Sequence, residues 1–369
     1  MNANRSNPNT QKLHALGQSL WIDNITRDML TDGTLARYIA ELSITGLTSN
    51  PTIFEHAIGK GNAYDEQIGE LKRAGKSGEE LFFALAQQDL ARAADLFLPV
   101  HKATNGVDGW VSLEVSPLLV DDSARTIEAA ARLHAAAGKP NLFIKIPGTP
   151  AGVKAIEESI FAGVPINVTL LFSREQYVAA AEAYLRGIER RIAAGRDPKV
   201  ESVASLFVSR WDVAVKDEVP PEQRNRLGLA ISRRTYKAYR ELLASPRWTK
   251  LAQAGAHPQR LLWASTGTKD PAASDTLYVE ALAAPDTVDT IPDKTLLAFA
   301  DHGKIGAGMA PDGGDAEAVI AEFGKLGIDD AALAARLQKE GGDSFAKSWK
   351  SLLAGIADKS AQLAGAAAR

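Results

Sequence analysis

Several apolar runs in this chain each carry one residue able to do chemistry. Phe143-Ile-Lys-Ile-Pro147 sets a single amine inside a strand-like run. Burial disfavours the ammonium form, so the pattern predicts a neutral, nucleophilic amine near pH 7. Such a lysine can attack a ketone and form a Schiff base. The competing role for Lys145 is a snorkelling side chain, or one paired with an interior carboxylate. Asp23, in Ser19–Asn24, and Glu114, in Gly109–Val115, sit in comparable runs. They could move protons on and off a carbinolamine and substrate hydroxyls, or simply neutralise Lys145. Asn50, Asn167, Thr169 and Ser205 offer short neutral groups suited to sugar hydroxyls, although capping is the plainer role for any one of them. Arg210 could clamp a phosphate bidentately. Ser265-Thr-Gly-Thr-Lys269 adds hydroxyls, pliable backbone and a cation.

These residues need elements to hold them. Eight runs read as strands: Ser19–Asn24, Gly46–Asn50, Gly109–Val115, Asn141–Ile146, Ile166–Leu171, Val203–Val208, Arg260–Ser265 and Leu277–Ala281. Several are continuously apolar, as strands covered on both faces are. Helical patterns separate them. Asp122 or Ser123 can cap a helix that Gly138 stops, and Ser173 with Gln176 fits a capping box. Pro221-Glu-Gln opens another helix through about Leu243, and Thr287–Ala300 reads as a weaker one. Pro51–Val107 has room for about two helices. Beyond Gly303 the tail is Ala-rich and helical, with breaks expected at Gly313-Gly314 and Gly341-Gly342. The pattern predicts an α/β fold, a (β/α)8 TIM barrel, with additional helices between strands two and three and at the C-terminus. It forms one domain over 1–369, with the barrel core at about 18–303 and the extension at about 304–369. An open doubly wound sheet is disfavoured, because Asn24-Ile-Thr-Arg27 after the first strand has no glycine. The chemistry-bearing residues then fall in or at the C-terminal ends of strands, where barrel enzymes place their sites.

Composition narrows the class. The chain has 369 residues, 45% of them apolar, and a net charge of -3 from 42 basic and 45 acidic residues. That balance argues against a nucleic-acid-binding domain. The absence of cysteine removes disulfides, thiolate catalysis and cysteine-ligated zinc. The six histidines are scattered, with no pair at metal-ligand spacing. The N-terminus lacks a continuous apolar stretch, and no run of about 18 apolar residues occurs. A cytoplasmic protein with no membrane partner is expected.

Six segments together resemble the transaldolase family: Trp21-Ile-Asp-Asn-Ile25, Gly46-Leu-Thr-Ser-Asn-Pro-Thr52, Ser112-Leu-Glu-Val-Ser-Pro117, Ile144-Lys-Ile-Pro-Gly-Thr149, Asn167-Val-Thr-Leu-Leu-Phe-Ser173 and Ala204-Ser-Leu-Phe-Val-Ser-Arg210. Trp263-Ala-Ser-Thr-Gly-Thr-Lys269 and the chain length are similar to a bacterial, long-chain subfamily. The resemblance implies a class I aldolase-type barrel with no metal and no organic cofactor. It implies transfer of a dihydroxyacetone unit from sedoheptulose 7-phosphate to glyceraldehyde 3-phosphate, in the non-oxidative pentose phosphate pathway. The products are erythrose 4-phosphate and fructose 6-phosphate. By the same resemblance Lys145 matches the Schiff-base lysine and Asp23 the acid/base of carbon–carbon cleavage. Glu114 and Thr169 match the pair that holds a catalytic water. Asn50, Asn167 and Ser205 match contacts to the dihydroxyacetone part, Phe207 a pocket aromatic, and Arg210 and Ser265 phosphate contacts. Many members carry a second phosphate arginine two residues after this serine. Here Gly267 stands there, and Lys269 is expected to replace it as a looser, point-charge clamp. A monomer or homodimer is expected. The alternatives are an aldolase that cleaves fructose 6-phosphate and releases dihydroxyacetone, and a non-catalytic sugar-phosphate-binding barrel.

Overall fold

The structure, a computed structural model, describes residues 6–367. Eight strands form one parallel sheet: β1 (Gln18–Ile22), β2 (Ile44–Leu47), β3 (Val111–Glu114), β4 (Leu142–Pro147), β5 (Ile166–Leu171), β6 (Ser202–Phe207), β7 (Arg260–Ala264) and β8 (Thr287–Ile291). Their order is β2-β1-β8-β7-β6-β5-β4-β3. The ends of that order meet at a parallel bridge between Gly46 and Trp110, flanked by backbone bonds from Gly109 to Thr45 (2.8 Å) and from Leu47 to Trp110 (2.9 Å). Every strand residue is buried, as expected when helices cover the outside and side chains fill the inside. The result is a (β/α)8 barrel.

Local signals act largely as expected. Asp122 accepts from the Arg125 amide at 3.0 Å, and Gly138 at φ 58° ends the helix Ser123–Ala137. The Ser173 hydroxyl accepts from the Gln176 amide at 3.2 Å. Gln176 reaches back one residue further than a capping box requires, to the Phe172 amide at 2.7 Å.

Five expectations are corrected. The eighth strand is Thr287–Ile291; Leu277–Ala281 is a short helix. Thr287, Val288, Thr290 and Ile291 are β-branched and favour a strand, but Asp289 and two threonines hid that from a reading based on apolar runs. The helix read across Thr287–Ala300 begins only at Asp293. Pro51–Val107 holds three helices, Pro51–Gly59, Asp65–Arg73 and Gly78–Ala103, rather than about two. Pro221–Gln223 is a single 3-10 turn, and the helix proper is Leu227–Leu243. In the tail, Gly313 and Gly314 do interrupt the chain at positive φ. Gly341-Gly342 does not, because the helix Asp330–Ala367 runs straight through it.

The barrel interior is layered. In its middle Phe143 stacks on Trp110 at 4.1 Å and faces Trp21 at 6.1 Å, within a cluster that includes Val203, Leu262 and Val288. Gly46 is required by that filling: a Cβ there would lie 2.7 Å from the Trp21 ring. This aromatic layer separates polar groups below it from polar groups at the mouth. Trp211 and Trp263 are also fully buried, in line with a core role.

Candidate active site

Parallel register assembles the mouth. Glu114 pairs with Lys145, Lys145 with Asn167, and Pro147 with Thr169 across β3, β4 and β5. Residues matched in register share a face, so these side chains meet inside the barrel. Asp23 follows β1 directly. A cavity of about 130 Å³ opens there, lined by Asp23, Asn50, Lys145, Thr169, Ser205, Phe207, Arg210, Ser265 and Lys269, among others. Nine of the eleven residues singled out in the sequence therefore line one cavity. Glu114 and Asn167 lie against it, sealed from solvent.

The lysine is not an isolated amine. Lys145 Nζ donates to the Ser49 carbonyl at 2.9 Å and lies 3.3 Å from Glu114 Oε2. The pairing with an interior carboxylate, the competing role for Lys145, is present. Burial pushes the Glu114 carboxyl up, partly opposed by the Lys145 charge. Asp23 is pushed up by burial too, against the Lys145 charge and a 2.7 Å bond from the Thr48 hydroxyl. Neither Glu114 oxygen nor the Thr169 hydroxyl has an aligned hydrogen-bond partner, although all three are sealed from solvent. Such unspent capacity is uncommon in a core.

Several expected sugar contacts have protein partners. Asn50 lines the cavity but its side chain also caps Pro51–Gly59, accepting from the Ile53 amide at 3.0 Å. Asn167 donates to Ser112 Oγ at 3.2 Å and accepts from Ser205 Oγ at 2.8 Å. Ser265, at φ 59°, shares a 2.8 Å hydroxyl contact with Ser209. Arg210 has no carboxylate oxygen within 4.0 Å among the described residues. The Lys269 ammonium lies 3.6 Å from where a Cβ on Gly267 would stand.

Among the lining residues not expected from the sequence are two threonines and a phenylalanine. Thr290 was missed with its strand. Thr48, 2.6 Å from Thr290 between hydroxyls, lies within the quoted Gly46–Thr52 segment but was not singled out. Phe345 comes from the tail helix, and nothing local to it signals the cavity.

An amine paired with a buried carboxylate, with a second, half-buried carboxylate lining the same cavity, at the C-terminal mouth of a (β/α)8 barrel, is equipment for covalent carbonyl chemistry with built-in proton transfer. Comparison with known proteins names the class. The family described as "Transaldolase/Fructose-6-phosphate aldolase" matches residues 20–356, and the chain belongs to it. It is 45% identical over 359 residues to a protein named transaldolase from Renibacterium salmoninarum, covering 95% of this chain and 96% of that one. It is 44% identical over 355 residues to a transaldolase from Thiobacillus denitrificans, covering 94% and 99%. It is 41% identical over 341 residues to a transaldolase from Neisseria gonorrhoeae, covering 92% and 97%. Among the described residues no helix is long and apolar enough to cross a membrane.

Proposed function

We propose that this protein is a transaldolase, moving a dihydroxyacetone unit from sedoheptulose 7-phosphate to glyceraldehyde 3-phosphate. The observation that carries this is the Lys145 amine held between Glu114 and the Ser49 carbonyl at the barrel mouth, in a chain whose near-full-length relatives bear that name.

Lys145 Nζ attacks the donor's C2 carbonyl carbon and forms a carbinolamine. Loss of water gives the iminium. Glu114 and Thr169, with their unspent hydrogen-bonding capacity, relay the protons for that step through a water. Asp23 then takes the proton from the C4 hydroxyl. The C3–C4 bond breaks, its electron pair flows into the iminium, and the aldehyde product leaves. The remaining enamine attacks the acceptor's aldehyde carbon while Asp23 returns the proton. Hydrolysis of the new iminium frees the product and Lys145. Asn50, Asn167 and Ser205 hold the dihydroxyacetone hydroxyls, and Phe207 walls the pocket. Arg210 and Ser265 take the phosphate. Lys269 stands in for the arginine missing at 267, a role supported by its ammonium occupying the space beside that glycine. In this reading the chain is one barrel domain with a helical extension, cytoplasmic, and a monomer or homodimer.

The test is incubation with fructose 6-phosphate, borohydride reduction and peptide mass spectrometry. A dihydroxyacetone-sized adduct on Lys145 is expected, with transfer to an added acceptor aldehyde. Release of free dihydroxyacetone at the same rate without an acceptor would identify an aldolase instead. Binding without any adduct would identify a non-catalytic barrel.

A further inference from the structure

The tail helix Asp330–Ala367 crosses the barrel mouth, and its contacts there are specific. Gln338 Nε2 donates to the carbonyls of Gly148 and Leu170, at 3.0 Å each. This ties the helix to the ends of β4 and β5. Leu170 sits at φ 58° in a break of the β5–β6 register, which frees its carbonyl for that bond. At Gly341 the helix lies very close: a Cβ would meet Leu170 Cδ2 at 2.9 Å and Arg210 Nη1 at 3.3 Å. Phe345 lines the cavity, its ring centre 5.8 Å from Arg210 Cζ. Phe207 stands 5.1 Å from the same carbon. The next turn is anchored by Ser348 to Thr52 at 2.9 Å and by Trp349 to Glu79 at 2.8 Å. Gln338, Gly341, Phe345 and Ser348 recur every three or four residues, so they share one helix face.

We propose that this helix face is part of the active site, and that Phe345 is a positioning residue for Arg210. With Phe207 it holds the guanidinium against two rings and keeps water from it. The cation is then oriented by aromatic faces rather than by a carboxylate. Its donors stay available for the substrate's phosphate, and no ion pair has to be broken when that phosphate arrives. Gly341 is a glycine because any side chain there would press on Leu170 and on the guanidinium. Gln338 sets the height of the helix over both. The inference rests on the reading of Arg210 as a phosphate contact.

The experiment compares glyceraldehyde 3-phosphate with glyceraldehyde as acceptor, in the full-length enzyme and its Phe345→Leu, Phe345→Tyr, Gly341→Ala and Arg210→Gln variants. Phe345→Leu is expected to raise KM for the phosphorylated acceptor roughly tenfold, the scale of a lost cation–π contact. KM for glyceraldehyde should change less than twofold. Phe345→Tyr, which keeps a ring face, should restore the first KM. Gly341→Ala, with Phe345 in place, should raise it as well. Equal losses for both acceptors in Phe345→Leu would make the residue merely structural and overturn the inference. If Arg210→Gln raises the phosphorylated KM but Phe345→Leu and Gly341→Ala do not, the inference falls while the reading of Arg210 stands. If Arg210→Gln leaves discrimination intact, that reading falls and takes the inference with it.

Discussion

At the floor of the barrel Arg260 donates to Ser19 Oγ (2.6 Å) and to the Thr287 carbonyl (2.8 Å), with Asp108 at 3.7 Å. Asp108 in turn accepts from Trp21 Nε1 at 2.9 Å and from the Ser19 hydroxyl. At the mouth, on the other side of the aromatic layer, Glu114 and Thr169 keep unpartnered oxygens and Arg210 has no carboxylate beside it. Both ends bury charge. The floor crevice is the larger, about 400 Å³ against about 130 Å³. What separates the two clusters is where their charged groups spend their hydrogen bonds. Arg260 and Asp108 meet at Ser19 and use theirs on protein partners, although Gln18 Oε1 in the same crevice has none. Mouth charges retain capacity, which is costly in a folded state unless a reacting molecule uses it. Of these two openings, the smaller is the one that gathers the lysine and the residues around it.

The same exchange made at both ends tests that contrast. Lys145→Met should lower kcat on the order of 10⁴-fold or more and abolish the borohydride adduct. Its melting temperature should hold or rise, because Glu114, already pushed up by burial, can take a proton once the cation is gone. Calorimetry beside the activity assay checks both. A melting loss as large as that at the floor would erase the distinction. Arg260→Met should do the reverse. Leaving Asp108 buried without its cation costs about 3–5 kcal/mol, or roughly 5–10 °C. Steady-state assays of the folded protein should stay within about twofold of the parent.

Asp23→Asn sharpens the view of the mouth. Loss of the group that moves the hydroxyl proton should lower kcat about 10²- to 10³-fold. In the parent Asp23 must be ionised to act. Its carboxyl is raised, so the acid limb of the kcat/KM profile should lie above the usual carboxylate range, and it should vanish in the variant.

The smallest effect concerns a carboxylate in neither cluster. Asp289 is fully buried on β8, accepting from the Thr266 hydroxyl at 2.9 Å, and burial pushes it up to about 7. Its folded pKa exceeds the unfolded value of about 3.9. The proton-linked stability is therefore complete below about pH 4 and lost as pH rises through about 7. Asp289→Asn should be neutral at pH 4 and stabilising at pH 8 by about 1–2 kcal/mol, since relaxation reduces the full shift. Denaturant melts at the two pH values decide it. Equal effects at both would mean that Asp289 does not titrate in this window.

The legible part of the molecule was what adjacent residues impose on one another. Seven strands, the Asp122 and Ser173 caps and the Gly138 stop follow from apolar runs, short polar side chains and glycine. The lone lysine and two carboxylates in apolar strands announced a site, because burying a charge without use is expensive. β8 was illegible by pattern, since three of its five residues are polar and its strand character comes from β-branching and two neighbours supplied by the fold. The tertiary structure alone decided three further things. Strand register placed Glu114 beside Lys145, since nothing in either segment fixes their pairing. Closure of β2 on β3 made eight strands a barrel with a floor and a mouth. Packing of Asp330–Ala367 over that mouth turned Gly341-Gly342 from an expected break into a point of close approach. A glycine pair in isolation weakens a helix, but here contacts with Leu170, Phe172 and Arg210 are available only where the helix has no side chain in the way.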